Sequence, residues 1–179
     1  MIIGLVRHFK VDILFNERFY TPAQFNDKME EYDNSPVIPD GVNLNGINWE
    51  ICFCSSMPRA IATAEAIYKD EIIKTDLLKE VNVKSFTNKK IYLPGGLWHL
   101  GGRIAWYKEK ESQPEKFSET TARADKIIET ILSSGKQNVL CVSHGFFMGV
   151  LFRKLYKLGF KGEADMRPRN GKLYVFSRQ

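Results

Sequence analysis

Short apolar runs and amphipathic stretches alternate along this chain. The runs lie at about Ile2–Val6, Ile51–Cys54, Val139–Val142 and Leu173–Phe176, with a shorter one at Glu71–Lys74. They are rich in β-branched residues and show little polar alternation, which predicts short strands buried on both faces. The stretches between them follow a helical period. Pro58–Lys69 begins after Ser55-Ser56 with proline in its first turn, a helix start signal. Ser118–Leu132 carries Ala122, Ile127, Ile128 and Ile131 on one face, with Gly135 as its stop. Gly145–Leu158 reads as a largely buried helix ended by Gly159, and Pro22–Tyr32 and Leu97–Glu111 are further helices. Strands alternating with helices predict βαβ units, hence an α/β fold: a three-layer α/β/α sandwich with a mostly parallel central sheet. Asn34–Asn48 and Asn82–Gly96 are loop-like, and long loops in such folds are usually lids or pocket walls. With no repeat, low-complexity tract or linker, residues 1–179 are expected to form a single domain.

A chain of 179 residues suits one sizeable core. No apolar run approaches the roughly 20 residues needed to cross a bilayer, and the first six residues are too short for a signal-peptide core. The expected setting is therefore cytoplasmic, with no membrane partner. Cys52, Cys54 and Cys141 are odd in number and lie in apolar contexts, which marks them as core thiols of a reducing compartment. No Cys/His cluster completes a tetrahedral metal site. The net charge of +5 favours anionic ligands. The basic residues are scattered and form no nucleic-acid motif, so small phosphorylated molecules fit that sign better than nucleic acid.

Chemistry concentrates at strand ends. Two of the three histidines directly follow predicted strands, in Val6-Arg7-His8 and Val142-Ser143-His144-Gly145. In an open α/β sheet the ligand crevice lies outside the carboxyl ends of the strands. A third strand end, Cys54-Ser55-Ser56-Met57-Pro58-Arg59, places Arg59 in the first turn of a helix, where free N–H groups and the dipole favour anions. Two arginines and two histidines around one crevice make an anion pocket. Such a pocket suits phosphoryl transfer through an imidazole nucleophile, with guanidinium forks holding the phosphoryl oxygens. No metal or cofactor is needed for that chemistry. A protonated second imidazole would add one more charge-assisted donor.

In these segments the chain resembles the histidine phosphatase superfamily, which includes the cofactor-dependent phosphoglycerate mutases. The family's Arg-His-Gly motif is met by Arg7-His8-Phe9, its Ser-x-x-x-Arg-Ala-x-x-Thr-Ala segment by Ser55 through Ala64, and its Ser-His-Gly by Ser143-His144-Gly145. The resemblance implies that His8 is the phosphorylated nucleophile and that Arg7, Arg59 and His144 form the phosphate pocket. The family's Leu-x-Glu acid corresponds to Glu80, expected to protonate the leaving oxygen and then to activate water. Glu71 and Asp76 are its competitors. Three positions depart from the family pattern: its glycine is Phe9, and the Thr and Asn that follow align with Val11 and Leu14. These are expected to put bulk near the substrate and to make the entrance greasier.

The implied activity is a metal-independent phosphomonoesterase acting through phosphohistidine on a small phosphorylated substrate. The alternatives are mutase-type phosphotransfer and a catalytically weakened phospho-ligand-binding module. The short stretch between Glu80 and His144 and the apolar loop after His8 favour hydrolysis over mutase chemistry. Phe9, Phe15, Phe19, Tyr20, Trp98 and Trp106 are candidates for the pocket wall, although Trp106 is expected in the core. Lys89 and Lys90 are expected in a solvated turn, and His99 is expected to be structural or exposed.

Overall fold

A computed structural model of the chain describes residues 1–14 and 18–179. Its main sheet runs β4(Ile72–Thr75), β3(Ile51–Ser55), β6(Asn138–Ser143), β1(Ile2–Arg7), β8(Leu173–Ser177) and β7(Lys161–Gly162) in spatial order. β4, β3, β6 and β1 are parallel, while β8 and β7 close the β1 edge in antiparallel pairing. All five expected strands are present in this sheet. The two-residue pairings β2(Phe19–Tyr20) with β5(Leu93–Pro94), and β7 with β8, are too short to leave a periodic signal.

Alternate residues of the central strands face opposite helical layers. Ile3, Leu5, Ile51, Phe53, Val139 and Cys141 pack with α4(Phe117–Ser133) and α5(Gly145–Lys157). Val6, Cys52, Cys54, Leu140 and Val142 pack with α2(Pro58–Ile67), Trp49 and Tyr68. Strands buried on both faces, as their unbroken apolar runs require, thus form the middle layer of an α/β/α sandwich. All three cysteines are free and buried in these strands, and burial pushes each thiol far above its usual range.

α1(Pro22–Asn34) and α3(Gly95–Tyr107) stand apart from this arrangement. Thr21 caps α1 in a capping box with Gln24. The two helices share a separate apolar cluster of Tyr20, Phe25, Val83 and Trp98, and the Trp98 indole N–H donates to the Tyr20 carbonyl at 2.9 Å. They form a cap over the carboxyl ends of β1, β3 and β6. Tyr20 and Trp98 therefore belong to the cap's interior rather than to a ligand wall, Phe19 is exposed, and Trp106 lies in the main core. Phe15 lies outside the described residues. Lys89 and Lys90 are exposed in an irregular segment. Among the described residues, no helix is long and apolar enough to cross a membrane.

Candidate active site

Parallel pairing in register puts Arg7 of β1 beside Ser143 of β6, so both chains leave the sheet at the same level. The next residues, His8 and His144, meet with ring centroids 5.0 Å apart. β3 ends one strand further along, and its following helix brings Arg59 to the same point. Arg59 Nε donates to His144 Nδ1 at 3.2 Å. Glu80 completes the group from the far side of Leu78, whose carbonyl accepts from Ser143 Oγ at 2.8 Å. The five residues nominated from sequence are thus gathered at one end of the sheet.

Hydrogen bonds assign the imidazole tautomers. His8 Nδ1 lies 2.6 Å from the Phe9 carbonyl, so Nδ1 carries the proton and Nε2 keeps its lone pair. Burial, then Arg59 and Arg7, lowers its pKa to about 3 against a raising pull from the Phe9 carbonyl. His144 accepts at Nδ1 from Arg59 and donates from Nε2 to Ser55 Oγ at 2.8 Å. Burial and the same cations hold it well below its ordinary value. Hence His144 is a neutral prop for Arg59 in this structure, not the protonated donor allowed by sequence. His8 is 1% exposed and His144 0%.

The two arginines differ in what they have left to give. Arg7 Nη1 donates to the Pro168 carbonyl at 2.8 Å, whereas its buried Nε has no hydrogen-bond partner. A buried unpaired donor costs free energy unless a ligand uses it. Its guanidinium lies against Gly145, where an added Cβ would meet Arg7 Nε at 3.0 Å and Cζ at 3.1 Å. The glycine of Ser143-His144-Gly145 therefore serves close approach of a cation to the start of α5. Arg59 is already engaged: Nη1 donates to Asp33 Oδ1 at 2.9 Å, and Nη2 faces Met57 Sδ at 3.6 Å.

Glu80 sits at the N-terminus of α5. Its Oε1 accepts from the Val81 and Phe147 amides, both at 2.9 Å, and its Oε2 from the Phe146 amide at 3.1 Å. Arg123 fixes the approach to it by donating to the carbonyls of Leu77 and Lys79 at 3.0 and 2.7 Å. Its competitors fall elsewhere: Asp76 pairs with exposed Lys79, and Glu71 is exposed in the turn before β4.

Phe9 corrects an expectation. Its ring is 1% exposed and packs toward Gly171, so its bulk points down into the fold and away from the cleft. Among the described non-glycine residues only Asn45 and Glu109 have positive φ, so this turn does not require glycine. The Phe9 amide donates to Thr63 Oγ1 at 2.8 Å, and Thr63 donates to the Arg59 carbonyl at 2.8 Å. Asn170 Nδ2 holds the His8 carbonyl at 2.7 Å. Val11 is buried in a bridge with Val37 and does not line the cleft, while Leu14 is exposed.

A cleft of about 810 Å³ opens over this group, lined at its floor by Arg7, Arg59, Glu80 and Gly145. Asp33 of α1 and Arg103 of α3 line its cap side. Arg103 stacks 3.5 Å above the Phe146 ring and donates to the Val81 carbonyl at 2.8 Å. Burial lowers it to about 10, which leaves it cationic at neutral pH. His99 is exposed, on the same wall. Sequence reasoning missed Asp33 and Asn170. Thr63 stood in the quoted motif, but Asp33 is one of several polar residues on a solvated helix and carried no signal.

Residues 41–179 match the histidine phosphatase superfamily (branch 1), and the chain belongs to that family. The match takes in Arg59, Glu80 and His144 and begins after Arg7, His8 and α1. Several of the solved structures it resembles are named phosphatases. Alpha-ribazole phosphatase from Shigella flexneri superposes with a TM-score of 0.60 at 16% identity, over 98% of this chain and 89% of that one. Phosphoserine phosphatase from Entamoeba histolytica, solved as a mutant in complex with phosphoserine, gives 0.56 at 15% identity, over 97% and 89%. Mycobacterial glucosyl-3-phosphoglycerate phosphatase gives 0.54 at 16% identity, over 87% and 79%. No curated protein sequence matches the chain.

Proposed function

We propose that the chain is a metal-independent phosphomonoesterase that works through a phosphohistidine on His8. The observation that carries this is the state of His8: a neutral imidazole, its proton fixed on Nδ1 by the Phe9 carbonyl, buried under the field of the Arg59 and Arg7 guanidinium groups that line the cleft floor. Nε2 attacks phosphorus, forming the N–P bond as the ester P–O bond breaks. Arg7, with its uncommitted Nε, and Arg59 neutralise the phosphoryl oxygens. His144 orients Arg59 rather than carrying charge itself. Water then attacks the phosphohistidine, with Glu80 as the carboxylate that removes its proton. The Val81, Phe146 and Phe147 amides fix the position of the Glu80 carboxylate at the cleft floor.

The cleft volume suits a small molecule, and the relatives' names (phosphoserine, alpha-ribazole and glucosyl-3-phosphoglycerate phosphatases) support a small phosphorylated substrate. A cytoplasmic setting agrees with three free buried thiols. The test is p-nitrophenyl phosphate hydrolysis with EDTA present, comparing wild type with His8→Ala. Turnover in EDTA that disappears in the variant supports the proposal. Equal turnover in both, or a strict requirement for added metal, overturns it.

A further inference from the structure

Asp33 lies on neither sequence motif nor sheet, yet it holds one of the two guanidinium groups that serve the phosphoryl group. Its Oδ1 and its carbonyl accept from Arg59 Nη1 at 2.9 and 3.3 Å. The Arg59 side chain is 1% exposed and that of Asp33 27%, so the pair forms the seam between cap and sheet. His144 takes Nε and Met57 Sδ faces Nη2, so Nη1 is the nitrogen that Asp33 holds. A phosphoryl dianion that takes Nη1 of Arg59 displaces the Asp33 carboxylate and comes to rest beside it. We infer that Asp33 is the leaving-group acid of this enzyme, switched on when the substrate's phosphoryl group takes its arginine.

The charges around Asp33 favour that switch. In the paired state burial, the largest effect, already raises its carboxyl above the ordinary range, helped by Glu80 and by Glu30 of its own helix and opposed by Arg59. Substrate binding removes the opposing cation and adds two negative charges, so Asp33 takes a proton from solvent. It presents that proton from the cap side of the cleft to the departing ester oxygen. When His8 Nε2 bonds to phosphorus, the P–O electrons go to the leaving oxygen, which receives the Asp33 proton and departs as the alcohol. Asp33 is then a carboxylate again. Water next gives its oxygen to phosphorus and a proton to Glu80, the N–P bond returns its electrons to His8, and Glu80 passes its proton to solvent. Inorganic phosphate leaves as Asp33 recaptures Arg59. Leaving-group protonation and water activation, both expected of Glu80 from sequence, thus fall to two carboxyl groups.

The inference presupposes the phosphohistidine route above, and its test separates the two. Wild type, His8→Ala, Asp33→Asn, Asp33→Glu and Glu80→Gln are compared on p-nitrophenyl phosphate, whose leaving group needs no proton, and phenyl phosphate, whose leaving group does. The readout is the ratio of kcat/KM for the two esters, in which the fraction of folded enzyme cancels. Asp33→Asn, which still offers Arg59 an oxygen, should raise that ratio by roughly 10²-fold or more, the usual range for losing a general acid. Asp33→Glu should bring it back toward wild type. Glu80→Gln should leave the ratio within about threefold, a shift too small for a lost general acid, and accumulate acid-labile protein-bound phosphate. An unchanged ratio in Asp33→Asn, or a raised ratio in Glu80→Gln alone, overturns the role of Asp33 while leaving the phosphatase intact. Wild type inert on both esters, or His8→Ala as active as wild type, overturns the phosphatase and Asp33 together.

Discussion

Gly145 offers a perturbation whose effects on stability and on activity have opposite signs. It is the first residue of α5, and an alanine Cβ there would stand 3.0 Å from Arg7 Nε, 3.1 Å from Cζ and 3.4 Å from Cδ. Ordinary contacts lie a few tenths of an ångström further out, so the guanidinium must yield by that much. It cannot swing freely, because Nη1 is held by the Pro168 carbonyl at 2.8 Å. If a 1 Å misplacement of a catalytic group costs about 10²-fold, a shift of roughly 0.4 Å costs about 5–10-fold. The helix gains from the same change: alanine exceeds glycine by about 0.5–1 kcal/mol in a helix interior, and somewhat less in the first turn. At this chain length that corresponds to a rise in Tm of about 1–3 °C. The assay pairs thermal melts with kcat/KM on p-nitrophenyl phosphate for wild type and Gly145→Ala. A variant that melts slightly higher and turns over several-fold more slowly fits the geometry. Full activity at unchanged or raised Tm would refute the idea that Arg7 needs this close approach.

Two further outcomes follow from the site. His8 and His144 are both held below their ordinary value when folded, so the unfolded chain binds more protons below pH about 6.5. Their contribution to stability is complete above that pH and is lost as pH falls toward about 3 for His8, at about 1.4 kcal/mol per pH unit for each histidine. Melts between pH 7.5 and 5 should fall steadily, by less in His8→Ala, and a flat profile would contradict the buried neutral pair. Phe9→Gly, which restores the family residue, should cost about 3–5 kcal/mol by emptying a packed site and should not raise turnover. A stable and faster Phe9→Gly enzyme would mean that the ring does obstruct the cleft.

The sheet and its helices were legible because their signals are local. The runs at Ile2–Val6 and Val139–Val142 are buried on both faces and show it, and the Pro58 start and Gly159 stop need only their neighbours. Histidines and arginines at strand ends pointed to one crevice because a parallel sheet collects those ends on one side. Contacts without local pattern were not legible. Asp33 reaches Arg59 only because a cap with its own Trp98-centred cluster folds over the sheet. The direction of the Phe9 ring depends on Gly171, far away in the chain, and the neutral state of His144 depends on Ser55 and Arg59 together. The glycine of Ser143-His144-Gly145 was visible as a letter, and its reason appears only with the Arg7 guanidinium laid against it.

The three thiols sealed in β3 and β6 have a consequence for where such a protein can work. Oxidants attack accessible thiolates, and here every sulfhydryl is buried and held in its protonated form. The group proposed here to accept a phosphoryl is a ring nitrogen, which peroxide does not inactivate as it does a thiolate nucleophile. The sulfur fully open to solvent is the thioether of Met166, on the rim of the cleft, where conversion to a sulfoxide would alter the entrance and spare the floor. On the proposed phosphohistidine route, ester cleavage is thereby uncoupled from peroxide stress at the floor of the cleft.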